Sequence, residues 1–219
     1  MKKYLTLLLA ISILSGCSAA AQEDSTKETK ADVTVKAVEK PKTHNINVPN
    51  PQVTDDSTLK KIGDTVTDRK GELTLKAVKE VNKHFTLGGI QYAVKDIKLM
   101  HYVPDYSMID FFHPYTHEEE FDFVKVGIEI ENTSKESYHF APVALMKVNE
   151  SIHKTWEDDF YLEELNGEIA AGQLKTGNVG FIVDELDGLS EVEIISGDLV
   201  GDDKKKKASP VRLVIPISE

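Results

Sequence analysis

From Asp122 to Glu131 the chain alternates side by side. Asp122, Val124, Val126, Ile128 and Ile130 fall on one face, and Phe123, Lys125, Gly127, Glu129 and Glu131 on the other. Period-two alternation of this kind predicts a β-strand with one face apolar and the other largely charged. Asn132-Thr133-Ser134-Lys135 then supplies a turn. Leu73, Leu75 and Ala77 alternate with Glu72, Thr74 and Lys76, but Val78 and Val81 fall out of phase, which places a bulge near Ala77. Ile90, Tyr92 and Val94 alternate after the Gly88-Gly89 turn, and the phase slips again before Ile97 and Leu99. Further strands are expected over 138–148, 178–183 (Val179, Phe181 and Val183 inward), 191–195 and 211–217. Residues 156–165 have room for a short helix. Seven or eight short strands without long alternating helices predict an all-β chain, an antiparallel β-sandwich. The Cys–Trp–Cys core of antibody domains is absent, so the expectation is immunoglobulin-like only in the loose sense.

The N-terminus carries a different signal. Lys2 and Lys3 precede an apolar stretch, Tyr4 to Leu14, broken only by Thr6 and Ser12. A membrane-spanning helix needs roughly 20 apolar residues to cross about 30 Å of hydrocarbon, so this stretch is too short. Its length suits the apolar region of a signal peptide. Leu14-Ser15-Gly16-Cys17 follows and looks like a lipobox, the site at which lipoprotein signals are cut and the cysteine is acylated. The expectation is a lipoprotein anchored in the cell membrane through lipid on Cys17, with its body on the extracytoplasmic face. Two acyl chains anchor stably where one does so marginally. Cys17 is the single cysteine of the chain. Lipidation would leave no thiol for a disulfide, a nucleophile or a metal site.

Three segments are thus expected: a signal peptide over 1–16, a lipidated flexible linker over 17–61 and a folded domain over 62–219. The linker expectation rests on composition: small, polar and charged residues, punctuated by Pro41, Pro49 and Pro51, with no aromatic until Phe85. Such a segment buries too little apolar surface to offset its ordering entropy. At roughly 45 residues its r.m.s. span would be roughly 35–40 Å. The net charge of −11 argues against nucleic acid and anionic lipid as partners of the domain. Loss of Lys2 and Lys3 with the leader would make it more negative.

Ile62-Gly63-Asp64-Thr65-Val66, Ile130-Glu131-Asn132-Thr133-Ser134, the Gly172 loop and Gly177-Asn178-Val179-Gly180-Phe181-Ile182-Val183 occur in an order with a known counterpart. Over about residues 62–195 the chain resembles a large bacterial family known as a domain of unknown function. Its members are mostly lipoproteins, grouped with the immunoprotective extracellular immunoglobulin-like domains. The resemblance implies fold and location, and it carries no catalytic residues to transfer.

Several constellations invite a function. Ser151-Ile152-His153-Lys154 and Ser57-Thr58-Leu59-Lys60 fit S-x-x-K, and Lys175-Thr176-Gly177 fits K-T-G. Penicillin-binding enzymes need these on a large α/β scaffold with an S-x-N element between them, which is missing here. An envelope hydrolase is therefore the least favoured reading, and no catalytic residue is assigned. Met100, His101, Met108, His113 and His117 cluster ahead of Glu118-Glu119-Glu120 and suggest a metal-binding alternative. Pro114-Tyr115 interrupts the histidine spacing, so solvated loop histidines are expected, with no metal or cofactor assigned. The loop over 102–120 is long and aromatic, and long loops are often functional. Tyr106, Phe111, Phe112, His113, Tyr115 and His117 form the candidate binding loop, with burial of Phe111 and Phe112 as core the competing expectation. The run Lys204 to Lys207 reads as a solvated hairpin tip. The overall expectation is a non-catalytic binding or interaction module with an envelope or protein partner, with a small-ligand or metal-binding lipoprotein as the alternative.

Overall fold

The computed structural model describes residues 43–44, 52–149, 151–183, 186 and 188–217. Cys17, the expected signal peptide and most of the expected linker lie outside these residues. The chain forms fourteen strands among the described residues. The first five are β1 (Thr43–His44), β2 (Thr65–Asp68), β3 (Gly71–Leu87), β4 (Ile90–Pro104) and β5 (Phe121–Asn132). Then come β6 (Tyr138–Phe140), β7 (Leu145–Val148), β8 (Ile152–Thr155), β9 (Gly167–Ile169) and β10 (Gln173–Val183). The last are β11 (Glu191–Ile195), β12 (Leu199–Gly201), β13 (Lys206–Ala208) and β14 (Arg212–Pro216). A 3-10 turn (Tyr106–Met108) and one helical turn, α1 (Ile109–Phe112), interrupt the connection from β4 to β5.

The fold is all-β and its sheets are antiparallel, as the alternation predicts. A six-stranded sheet runs in the order β1-β10-β5-β4-β3-β2, and two four-stranded sheets run β14-β11-β7-β8 and β13-β12-β6-β9. One pairing departs from the antiparallel expectation: β1 lies parallel to the start of β10, Thr43 opposite Gln173. The stretch 138–148 is not one strand either. Pro142 breaks it, and its two halves, β6 and β7, join different sheets. Of the expected helix over 156–165, only a 3-10 turn (Trp156–Asp158) forms.

The phase slips are real and have a purpose. The register between β3 and β4 shifts between Leu75 and Ala77, and that between β4 and β5 between Val94 and Asp96. Leu73 and Leu75 face one side of the sheet, and after the bulge Ala77 turns to the other. A bulge thus lets a single strand serve two cores.

The inner core is the larger. Val124, Val126, Ile128 and Ile130 from β5 meet Tyr92, Val94, Ile97 and Leu99 from β4 and Val179, Phe181 and Val183 from β10. Met146, Val148, Val192, Ile194, Phe140 and Leu199 from the smaller sheets close over them. Tyr92 keeps its hydroxyl satisfied by donating to the Pro142 carbonyl at 2.8 Å. Asn132, fully buried at the end of β5, donates to the carbonyls of Glu136 and Ile169 at 2.7 and 3.0 Å. Its carbonyl oxygen accepts from the Ser134 N–H at 3.0 Å, so this Asn-x-Ser turn is fixed from inside.

The outer face of the six-stranded sheet is covered by chain rather than by a sheet. Leu73, Leu75, Met100, Tyr102, Phe121, Phe123 and Ile182 form a second cluster. Val53 and Leu59 cover it from one side, and Phe112, Phe160 and Tyr161 from the other. Val53, Thr54, Asp56 and Leu59 are all buried, so packed chain begins upstream of the boundary expected at Ile62. Ile62 itself is exposed.

Candidate functional site

Three rows of cross-strand neighbours run down this outer face. Met100, Phe123 and Ile182 make an apolar row, and Lys98, Lys125 and Gly180 lie beside it. Asp96, Gly127 and Asn178 follow. The middle row sets two lysines directly opposite each other, which destabilises a sheet unless something neutralises them. Asp56 does so. Its carboxylate accepts from Lys98 and from Lys125, each at 2.6 Å. Lys125 is buried, contrary to the charged, outward face expected of β5, and its ammonium also lies 5.6 Å from the centre of the Tyr161 ring. Burial alone would raise the Asp56 pKa, but the ammonium groups of Lys125 and Lys98 outweigh it and hold the carboxyl below its ordinary value.

The two glycines in these rows are needed for close approach. A Cβ at Gly180 would sit 2.3 Å from the Tyr161 ring, and one at Gly127 would sit 2.9 Å from the Asp96 carboxylate. Gly127 leaves room for the Asp96 side chain beside it, and Gly180 lets the chain after the second 3-10 turn (Trp156–Asp158) lie flat on β10. Asp159 pins it there, accepting the backbone N–H of Gly180 at 2.8 Å and of Tyr161 at 3.0 Å. Burial raises Asp159 to about 6 despite those donors. Glu163 accepts the Asn178 N–H at 2.8 Å and is likewise raised by burial. Asp96 is raised by burial against the opposing pull of Lys125 and Lys98. Leu162 and Glu164 hold positive φ of 55° and 53°, a costly backbone for side chains with a Cβ.

Between residues 53–57 on one side and Tyr161, Glu163 and Asn178 on the other, a cleft of about 260 Å³ opens onto the lysine pair. It combines opposite charges, an aromatic ring and a side-chain amide at one mouth. Such a surface suits a small polar or zwitterionic group.

The chain matches the family described as "Domain of unknown function (DUF4352)" over residues 60–206. It belongs to that family. A relative is "Uncharacterized protein YdhF" of Bacillus subtilis (strain 168), 46% identical over 193 residues, which cover 86% of this chain and 81% of the relative. Among solved structures, a functionally unknown protein from Listeria monocytogenes EGD-e is similar at 15% identity and a TM-score of 0.49, over 67% of this chain and 87% of that one. The DUF4352 match brackets the lysine row and the loop that covers it, and leaves Asp56 just upstream.

The sequence-predicted loop divides. Phe112 is buried and packs its ring on Tyr102, Phe121 and Phe160 at 5.6, 5.0 and 5.7 Å. Phe111 and Tyr115 are half-buried against the same cluster. These three serve the core, which is the competing expectation for this loop. Tyr106 stays 88% exposed, and His113 and His117 are exposed. These two are exposed loop histidines, as expected, and the proline between them does not keep them apart: their rings lie 4.5 Å from each other. His101 joins neither, since its Nδ1 lies 2.8 Å from Asp122.

The serine motifs do not come together. Ser57 Oγ donates to Asp55 at 2.9 Å, Ser151 is exposed ahead of β8, and Lys175 Nζ, on β10 in another sheet, donates to the Glu164 carbonyl at 2.8 Å. Lys206 and Lys207 at the hairpin tip pair with Asp198 and Asp203 at 2.9 and 3.1 Å. Sequence reading missed the cleft. Its one legible sign was the pair of glycines within β-periodic sequence, Gly127 and Gly180, which mark close approach.

Proposed function

We propose that this chain is a lipoprotein held on the extracytoplasmic face of the cell membrane through Cys17, and that its folded unit is a non-catalytic binding module. Anchoring is supported by the short apolar leader and Leu14-Ser15-Gly16-Cys17. It also fits the mostly lipoprotein membership of the family that the sequence resembles, grouped with immunoprotective extracellular immunoglobulin-like domains.

The observation that carries the binding reading is the Lys98–Asp56–Lys125 cluster. A buried charged triad contributes little stability compared with apolar side chains of similar volume. This one borders an open cleft rather than filling a core. Charged groups perturbed by burial and by specific charge partners in a cleft mark a candidate functional site. The partner would present a small polar group, from an envelope component or a protein, to the lysines and Glu163. Tyr106, exposed on the connection from β4 to β5, would offer a second contact of its own.

Fractionation with acyl labelling tests the anchor. Cys17→Ala should abolish labelling and release the chain from the membrane; a variant still labelled and still bound would defeat the lipoprotein reading. Capture from the native envelope with the full chain tests the module: a component that it retains and that Asp56→Leu/Lys98→Met/Lys125→Met loses while folded would support it, and equal retention would defeat it.

A further inference from the structure

The connection from β4 to β5 ends in a pair of exposed imidazoles held at a specific separation. Asp105 caps the 3-10 turn by accepting the Ser107 N–H at 3.0 Å, and α1 follows. The backbone N–H groups of His113, Tyr115 and Thr116 then bond back to Ile109 and Phe112 carbonyls at 3.0, 2.8 and 3.0 Å. Phe112 is the buried pin that fixes this turn to the sheet. Pro114 therefore does not scatter the two histidines. The turn returns the chain on itself and sets His113 Nδ1 3.4 Å from His117 Nδ1.

We propose that His113 and His117 chelate a divalent transition-metal ion of the zinc class through their two Nδ1 atoms. Zinc–imidazole bonds are about 2.0–2.1 Å, and a tetrahedral angle between two of them sets the nitrogens roughly 3.3–3.4 Å apart. The observed 3.4 Å, which also lets one ring hydrogen-bond to the other, fits two ligands on one tetrahedral ion. An octahedral ion of similar bond length would bring cis nitrogens to roughly 3.0 Å, so the geometry favours zinc over magnesium- or calcium-like ions, which also prefer oxygen. Imidazole suits zinc, copper and nickel alike, and the spacing fits a tetrahedral ion of this class.

Glu118 and Glu119 line the same small cavity as the two histidines. No cluster of three histidine, cysteine or acidic side chains at metal-binding distance occurs among the described residues. The histidines thus supply half a coordination shell. Water, Glu118 or Glu119 after side-chain rotation, or a donor brought by a partner would complete it. An ion held this way keeps open positions that water or an added donor can fill. The site is separate from the lysine cleft and does not depend on the binding role proposed for it.

The test is titration of the full chain, purified without a histidine tag and treated with chelator, using Zn²⁺ alone by calorimetry and Co²⁺ alone by visible absorption. The expected result is one saturable Zn²⁺ site and the intense visible bands of tetrahedral Co²⁺. His113→Ala/His117→Ala should weaken binding by roughly tenfold or more. His139→Ala/His153→Ala, which removes two exposed histidines elsewhere, should leave it unchanged. Melting curves check folding, and His113→Gln and His117→Gln give milder variants should the double change disturb the turn. Absence of a saturable site in the native chain, or equal binding by a folded variant lacking both imidazoles, would overturn the proposal.

Discussion

The two faces of the six-stranded sheet solve the same problem in different ways. The inner face is closed by other strands, and its neighbours are aliphatic and aromatic from edge to edge. The outer face is closed by irregular chain, residues 53–60, 105–120 and 156–166, and only half of it is apolar. Where aromatic cover ends, the lysine row begins, and stability there depends on one carboxylate reaching two ammonium groups. The inner face could exchange one apolar residue for another of like volume at small cost. The outer face tolerates single changes less, because removing one member of its charged cluster leaves the others unpaired.

The comparison predicts unequal damage. Val126→Asp or Ile128→Asp should cost the most, because an unpaired carboxylate in the inner core has no partner within reach; the domain should fail to give a cooperative urea transition. Glu129→Lys, half-buried on the outer side of the same strand, should leave that transition within about 0.5 kcal/mol of the native chain. Equal damage from both would mean that the faces are wrongly assigned.

Removing one partner on the outer face should come next. Asp56→Asn leaves Lys98 and Lys125 facing each other with their charges unanswered, a loss of about 3–5 kcal/mol by chemical denaturation. Phe112→Ser belongs in the same range, as a large-to-small change at a buried ring, while Phe111→Ser should cost clearly less. A Phe112 variant as stable as the native chain would return that ring to the binding surface.

Asp159 should behave in the opposite sense to Asp56. Burial raises it from the ordinary 3.8 to about 6. Between those values the folded chain holds a proton that the unfolded chain releases. This contribution to stability therefore falls as pH rises through that window, and the cost is full above it. Ionised, the buried carboxylate costs about 3 kcal/mol. Asp159→Asn keeps an oxygen to accept from Gly180 and Tyr161, so it should raise stability at pH 7 by about 2–3 kcal/mol and flatten the profile between pH 4 and 6. An unchanged profile would remove Asp159 from the account. Tyr106→Ser, at the far end of the scale, should shift the melting temperature hardly at all.

How much of this could be read from the sequence follows the same division. The inner face was legible because its signal is local: alternation in β5, and the slips at Ala77 and before Ile97 where the strands bulge. The outer face was not, because its signals are distant pairings. Lys125 in an alternating strand reads as solvent-facing, and only Asp56, 69 residues away, makes it a buried residue. Asp56 in turn lies in a stretch whose composition reads as linker, where two apolar anchors, Val53 and Leu59, are too sparse to register as a periodic element. The histidines fail for a third reason. Proline between them argues against a helix, yet i→i−4 bonds from His113 to Ile109 and from Thr116 to Phe112 keep a helical turn around it and bring the imidazoles together.

The central claim is that the lysine cluster exists for recognition and not for folding. Asp56→Leu/Lys98→Met/Lys125→Met replaces all three charges with apolar chains of similar volume, leaving none unpaired. The decisive measurement is capture from the native envelope, comparing this variant with the native full chain after melting curves confirm that both are folded. The account predicts a triple variant that melts at or above the native temperature, by the 1–4 kcal/mol that such replacements can add, and no longer retains the component held by the native chain. A variant that unfolds, or one that folds and retains the same component, would contradict it.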